Sequence, residues 1–315
     1  MKRLNARAFR LATLGVIMAT TGYQGHAVLI YGGATAANAL PPVDDPGWAN
    51  VGRIVGGYGG VYLGAFDTGC WVLTAQHVPL TPGAFLLGAQ TYSIVAGSAV
   101  QVAGADLKLF RLGQDPGLPT LTLPSSEPTL CSAVLMIGYW YTSSAALTFS
   151  GFIDKHGSSN PSDWEWTSSG PGDPATGYLW TSAGIKRWGA NTLSGFDAGN
   201  DGYGYTEFIV TQLAATVGSA QLANSDSGGA AFVNGGSGWT LGGINVAIDW
   251  IQNQPPPGTP PPSGVEGDRS YMADLAFYRS DIDSLIATAP EPPASAAALA
   301  ALCLAGAAAR RQRKS

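Results

Sequence analysis

The sequence predicts an all-β chain of many short strands, closed by a single helix. Three observations carry that reading. Gly (43) and Pro (21) together make up about a fifth of the 315 residues, and these are the two poorest residues in a helix interior. Short apolar runs recur between Gly and Pro turns, at a spacing that suits a sandwich or barrel better than βαβ units. Only residues 271–288 show a helical face, with Leu275, Tyr278, Ile282 and Ile286 three or four positions apart. Nine Trp, twelve Tyr and ten Phe supply enough apolar surface to argue against disorder.

From the N-terminus, Lys2, Arg3, Arg7 and Arg10 precede an apolar stretch over 11–21 and the small residues Gly25 and Ala27. That is the charge, core and cleavage pattern of an export signal peptide over 1–27, cut after Ala27 or within 33–39. Its apolar core is too short to span a bilayer comfortably. Residues 28–50 read as a polar N-terminal arm. Strand-like runs follow at 60–63, 71–73, 85–87, 92–95, 107–110, 133–137, 207–210, 230–233 and 239–241. Between them, 155–205 is rich in Gly, Ser, Trp and Asp and reads as long loops with one hairpin around 186–189. Residues 253–264 form an extended Pro-rich loop. The main domain is therefore expected over 51–288.

The tail, 289–315, carries Pro290-Glu291-Pro292, an Ala/Leu-rich stretch over 293–309, and the basic cluster Arg310-Arg311-Gln312-Arg313-Lys314. A short apolar span ending in positive charge is a stop-transfer arrangement, a transmembrane helix or anchor in the making. The combination resembles the PEP-CTERM sorting signal of Gram-negative bacteria. That resemblance implies processing by an exosortase-type sorting machinery and a secreted or cell-surface product, with membrane contact only through the two terminal segments. A plain C-terminal anchor is the alternative.

Between the two ends the chain has eight basic side chains against 20 acidic ones, a net of −12. So acidic a body has no electrostatic footprint for nucleic acid. Of three cysteines, Cys303 lies in the tail. Cys70 and Cys131 remain, as a disulfide pair or as two free thiols. With no CxxC or Cys/His cluster, no structural zinc is expected, and no cofactor is implied. Asp197-Ala198-Gly199-Asn200-Asp201-Gly202 offers oxygen ligands for calcium, or is simply an acidic loop.

Three short motifs carry chemistry. His77 follows a strand-like run in Thr74-Ala75-Gln76-His77, whereas His156 sits in a polar loop and His26 within the leader. Asp106 opens the apolar run Asp106-Leu107-Lys108-Leu109. Ser227 stands in Ser225-Asp226-Ser227-Gly228-Gly229, where small residues permit a tight turn whose N–H groups converge, as an oxyanion hole requires.

Taken together and in this order, the three segments resemble the TAxH, DIAL and GDSGG segments of the chymotrypsin/trypsin family of serine proteases. The resemblance covers roughly 54–287 and also takes in Ile137-Gly138-Tyr139-Trp140 and Gly242-Gly243-Ile244-Asn245. It implies two antiparallel β-barrels with a C-terminal helix, a protein or peptide substrate, and an acyl-enzyme mechanism. Ser227 would be the nucleophile, His77 the base and Asp106 its orienting acid, with the N–H groups of Ser225 and Ser227 as oxyanion donors. Ser225 replaces the family's glycine and Ala230 its proline. The resemblance places Gln221 and Val246 in the substrate pocket, with Ile248 and Asp249 nearby. Gln221 is not the acid expected for Arg or Lys specificity. Arg53-Ile54-Val55-Gly56-Gly57 looks like a zymogen cleavage site whose new terminus would pair with Asp226, but it also reads as a first strand left uncut. The expected function is exported serine endopeptidase. Alternatives are a non-catalytic surface or matrix-binding protein, its loop tryptophans 164, 166, 180 and 188 stacking on sugars, and ester hydrolysis by the same residues.

Overall fold

The structure, a computed structural model, describes residues 28–290 except 82, 201, 237 and 259–261. The expected leader and the sorting segment from 291 onward lie outside the described residues. The elements run β1 (Leu29–Ile30), β2 (Val51–Ile54), β3 (Gly59–Phe66), β4 (Gly69–Thr74), β5 (Ala84–Leu87), β6 (Gln90–Ser93), β7 (Val100–Gln101) and β8 (Lys108–Leu112). The second half continues with β9 (Ala133–Asp154), β10 (Glu165–Thr167), β11 (Asp173–Asn200), β12 (Tyr205–Gln212), β13 (Ala220–Gln221), β14 (Ala230–Asn234) and β15 (Trp239–Asp249). It ends with β16 (Ser263–Gly264), β17 (Arg269–Asp274) and helix α1 (Arg279–Thr288).

Two antiparallel units result. The first has the strand order β6-β5-β2-β3-β4-β8-β7. It curls shut where Ile94 bridges Leu112 and the Gly113 N–H reaches the Ser93 carbonyl at 2.9 Å. In the second, β9, β14, β15, β17, β12 and β11 pair in turn, and β11 returns to β9, closing a six-stranded ring. Closure leaves few open edges for stray pairing. This is the all-β architecture with two barrels and a C-terminal helix that the sequence predicts.

The periodicity of the strands explains where the core lies. Val51, Tyr62, Trp71, Phe85, Leu109 and Phe110 of the first unit are buried in one cluster with Phe232, Ile244 and Leu275 of the second. Ile282 and Ile286 of α1 join it, so the helix returns to the first unit and ties the halves together. There the Thr68 hydroxyl donates to the Ile286 carbonyl at 2.6 Å. A second cluster, with Val134, Met136, Ile209 and Met272, fills the second barrel.

Three sequence expectations change. The Gly/Ser/Trp-rich stretch is not mainly loops: β11 runs 28 residues, pairs β9 from Asp173 to Thr192, and carries 186–189 mid-strand. Much of this ribbon stands clear of the core, so no apolar alternation marks it. The helix starts at Arg279, because Tyr271 and its neighbours are claimed by β17, which pairs with β12 and β15. The arm is not merely polar: Val28, Leu29 and Ile30 are buried, and β1 pairs with β13. Trp164 and Trp166 are also buried, in a small core with Ile153, Ile251 and Val265. Cys70 and Cys131 are free thiols. No helix among the described residues is long and apolar enough to cross a membrane.

Candidate active site

The two units meet where β4 ends and the turn before β14 begins. Gly59 and Gly228 make that approach possible. The Gly59 N–H donates to the Ser227 carbonyl at 2.8 Å. A Cβ on Gly228 would lie 2.1 Å from the Thr74 hydroxyl and 2.3 Å from the Gly59 carbonyl, and Gly228 also has φ +79°. Glycine is the residue that satisfies both demands.

His77 enters the site from the end of β4. Asp106 enters from the start of β8, which pairs with β4. The strand pairing therefore brings together two residues 29 positions apart. Asp106 is fully buried and grips His77 twice: its Oδ1 accepts the His77 main-chain N–H at 2.8 Å, and its Oδ2 lies 2.6 Å from Nδ1. The Asp106 N–H donates to the Thr206 hydroxyl at 2.8 Å. With Nδ1 turned to the carboxylate, the ring presents Nε2 to the cavity. Tyr203 packs against the imidazole at 5.4 Å between ring centres.

Lys108 is a residue that motif reading missed. It is buried two positions beyond Asp106, and its ammonium donates to the carbonyls of Gln76 and Val78, on either side of His77. Burial lowers its pKa, and the nearby Asp106 carboxylate opposes that effect. A basic residue inside an apolar strand was the available signal.

Ser227 and His77 line one cavity of about 240 Å³ between the two units. The Ser227 hydroxyl donates to the Val246 carbonyl at 3.4 Å, a long bond from which it can swing. Ser225 holds φ +73°, in the left-handed region. The N–H groups of Ser225 and Ser227 donate to no protein acceptor among the described residues, so both remain available to a ligand oxygen. The turn is locked from behind: the Gly229 N–H reaches the Asp226 carbonyl at 3.0 Å, and the Gly228 N–H reaches the Asn245 carbonyl at 2.8 Å.

Val246 lines the cavity, with Leu222, Ala223, Ala247, Ile248 and Trp250. Gln221 does not. It is buried behind the wall, where its amide donates to Asp268 at 3.2 Å and β13 pairs with β1. Asp249 also lies outside the lining, its carboxylate held by Arg269. No cluster of metal-ligating side chains occurs among the described residues.

No protein-family model and no curated protein matches the sequence. Solved structures do. The atomic-resolution structure of HBP matches at 17% identity and a TM-score of 0.49, covering 84% of this chain and 100% of that one. Neuropsin, a serine protease expressed in the limbic system of mouse brain, matches at 16% identity and 0.46, covering 78% and 96%. An inactive form of the Rv3671c protease matches at 12% and 0.43, covering 80% and 96%.

Proposed function

We propose that the chain is an exported serine endopeptidase acting through Ser227, His77 and Asp106. The observation that carries this reading is the doubly held Asp106–His77 pair facing the same cavity as Ser227. A lone structural histidine needs no buried carboxylate on Nδ1 and no adjacent serine in a glycine turn.

The chemistry follows from the groups present. Ser227 rotates from Val246 toward His77 Nε2 and gives up its proton as Oγ attacks the scissile carbonyl. Asp106 stabilises the imidazolium and fixes the ring. The carbonyl oxygen, now an oxyanion, takes the free N–H groups of Ser225 and Ser227. The imidazolium then protonates the departing amine, and water repeats the sequence on the acyl-enzyme.

The cavity walls carry Leu222, Val246, Ile248 and Trp250 together with Asn224 and Asp226, and Asp226 is buried with its Oδ2 accepting the Ala223 N–H, which leaves no exposed carboxylate to receive a cation. Uncharged, apolar side chains therefore suit the site better than Arg or Lys. The leader pattern over 1–27 and the tail over 289–315, which resembles a PEP-CTERM signal, support the reading of export and of sorting at the surface of a Gram-negative cell. The burial of Trp164 and Trp166 removes two of the side chains that a sugar-binding role would use.

The test is labelling of the purified protein with a fluorophosphonate, which reacts only with an activated serine. Wild type labels and Ser227→Ala does not. Folded wild type that fails to label overturns the proposal. A peptide ester series with Val, Leu or Arg before the scissile bond tests the pocket, with Arg expected to be the poorest.

A further inference from the structure

We propose that Tyr203, carried by the hairpin between β11 and β12, is a positioning residue for His77: its ring backs the imidazole and keeps it on Asp106. The proposal deepens the reading of the site above and rests on its being a hydrolase.

Asp106 secures His77 along one edge, through the main-chain N–H and Nδ1. An edge contact leaves the faces of the ring to other groups, because the torsion that turns an imidazole about its Cβ is broad. Two aromatic side chains lie within packing range. Tyr58, in the turn between β2 and β3, stands nearly perpendicular at 6.5 Å between ring centres and 85°. Tyr203 is nearer, at 5.4 Å and a tilt of 48°. Both separations fall where aromatic pairs attract. His77 and Asp106 belong to the first unit, whereas Tyr203 comes from the second.

The hairpin is docked on the segment that supplies the acid. β11 and β12 stay paired out to Asn200 and Tyr205. Beyond that pair, Gly204 meets the first unit main chain to main chain: a Cβ on it would lie 2.1 Å from the Gly104 carbonyl oxygen. The Gln101 amide donates to the Ala105 carbonyl at 2.8 Å and to the Tyr203 carbonyl at 2.9 Å. Thr206 is buried, and its hydroxyl accepts the Asp106 N–H at 2.8 Å. All three contacts fall on residues 101–106. The distance from Tyr203 to His77 is therefore set by the same contacts that place Asp106.

The consequence is mechanical and electrostatic. A histidine base must keep Nε2 aimed at the serine hydroxyl, and small misplacements of a reacting group slow catalysis steeply. A second ring against the imidazole bars it from swinging off Asp106 toward solvent. It also keeps water from the bond between Nδ1 and Oδ2, which weakens as the local dielectric rises. Tyr203 is itself 54% exposed, so truncating it removes the backing without emptying the core.

The test joins two readouts on the purified protein. The first uses the Ser227→Ala background and ¹⁵N-labelled histidine. Proton NMR should there show a His77 Nδ1 proton protected from exchange with water. Adding Tyr203→Ala should speed that exchange about threefold to tenfold, the range set by the strength of an aromatic pair. Tyr203→Phe, which keeps the ring, should restore the protection. The second readout keeps Ser227: Tyr203→Ala should slow fluorophosphonate labelling by a similar factor, and Tyr203→Phe should recover the rate to within about twofold. An Nδ1 proton equally protected with and without the Tyr203 ring, an unprotected one in the parent, labelling of Tyr203→Ala at the wild-type rate, or no recovery in Tyr203→Phe overturns the proposal. Protection that depends on Tyr203 in a protein whose Ser227 never labels supports the positioning role and overturns the hydrolase reading instead.

Discussion

Ser225 and Lys108 show how single residues tune the site. Ser225 holds a left-handed φ of +73° where glycine is unstrained. Ser225→Gly should therefore raise stability by about 1 kcal/mol in urea unfolding and leave fluorophosphonate labelling no slower. A tenfold loss of labelling would instead assign its hydroxyl a part in the chemistry. Lys108 clamps the main chain on both sides of His77. Lys108→Met keeps the volume but frees those carbonyls, and should lower kcat about tenfold or more with KM little changed, since the imidazole is misplaced rather than the pocket. Equal effects on kcat and KM would show that the clamp shapes binding as well. His77, Asp106 and Ser227 were legible in the sequence because each lies in a short contiguous motif. Lys108 was not, because the carbonyls that give it a purpose lie 30 and 32 positions away.

Elements position these residues through contacts between the units. Helix α1 belongs to the second half of the sequence, yet it buries Ile282 and Ile286 against the first unit. Ile282→Ala should cost about 2–5 kcal/mol, read as a lower urea midpoint. A cost under about 0.5 kcal/mol would mean that the helix is not a tie between the units. The apolar spacing that foretold the helix was real, but two of its four residues, Leu275 and Tyr278, precede the first turn and pack from the connection after β17. Spacing shows which residues share a buried side, while strand pairing decides which of them remain helical. β11 escaped sequence reading for the opposite reason: its buried positions, such as Tyr178, Arg187 and Leu193, are far apart and partly polar, so Gly, Ser and Thr between them hide any alternation.

For the molecule as a whole, buried acid is the feature that pH will probe. Asp268 lies under the pocket wall, accepting N–H groups from Val265 at 3.0 Å and from the amides of Gln254 and Gln221 at 3.0 and 3.2 Å. Burial outweighs these bonds and pushes its pKa up to about 7. The folded state therefore holds this proton more tightly than the unfolded chain, in which a free Asp titrates near 3.9. Its contribution is fully present below about pH 4 and is lost as pH rises to about 7, a change of up to about 4 kcal/mol. Asp268→Asn should flatten that part of the stability profile, and an unchanged profile would show that other groups set it. The acidic surface and the barrel class follow from composition alone, because counts of charge, Gly and Pro need no coordinates. The proposed trio of His77, Asp106 and Ser227 likewise stands in local motifs, since tight turns and strand ends are specified by neighbouring residues. Only the tertiary structure decided that Gln221 turns from the cavity to Asp268 and that Trp164 and Trp166 of the insertion are core. These depend on segments well separated in sequence packing together, and burial at such a contact is a property of the closed barrels rather than of any stretch of chain.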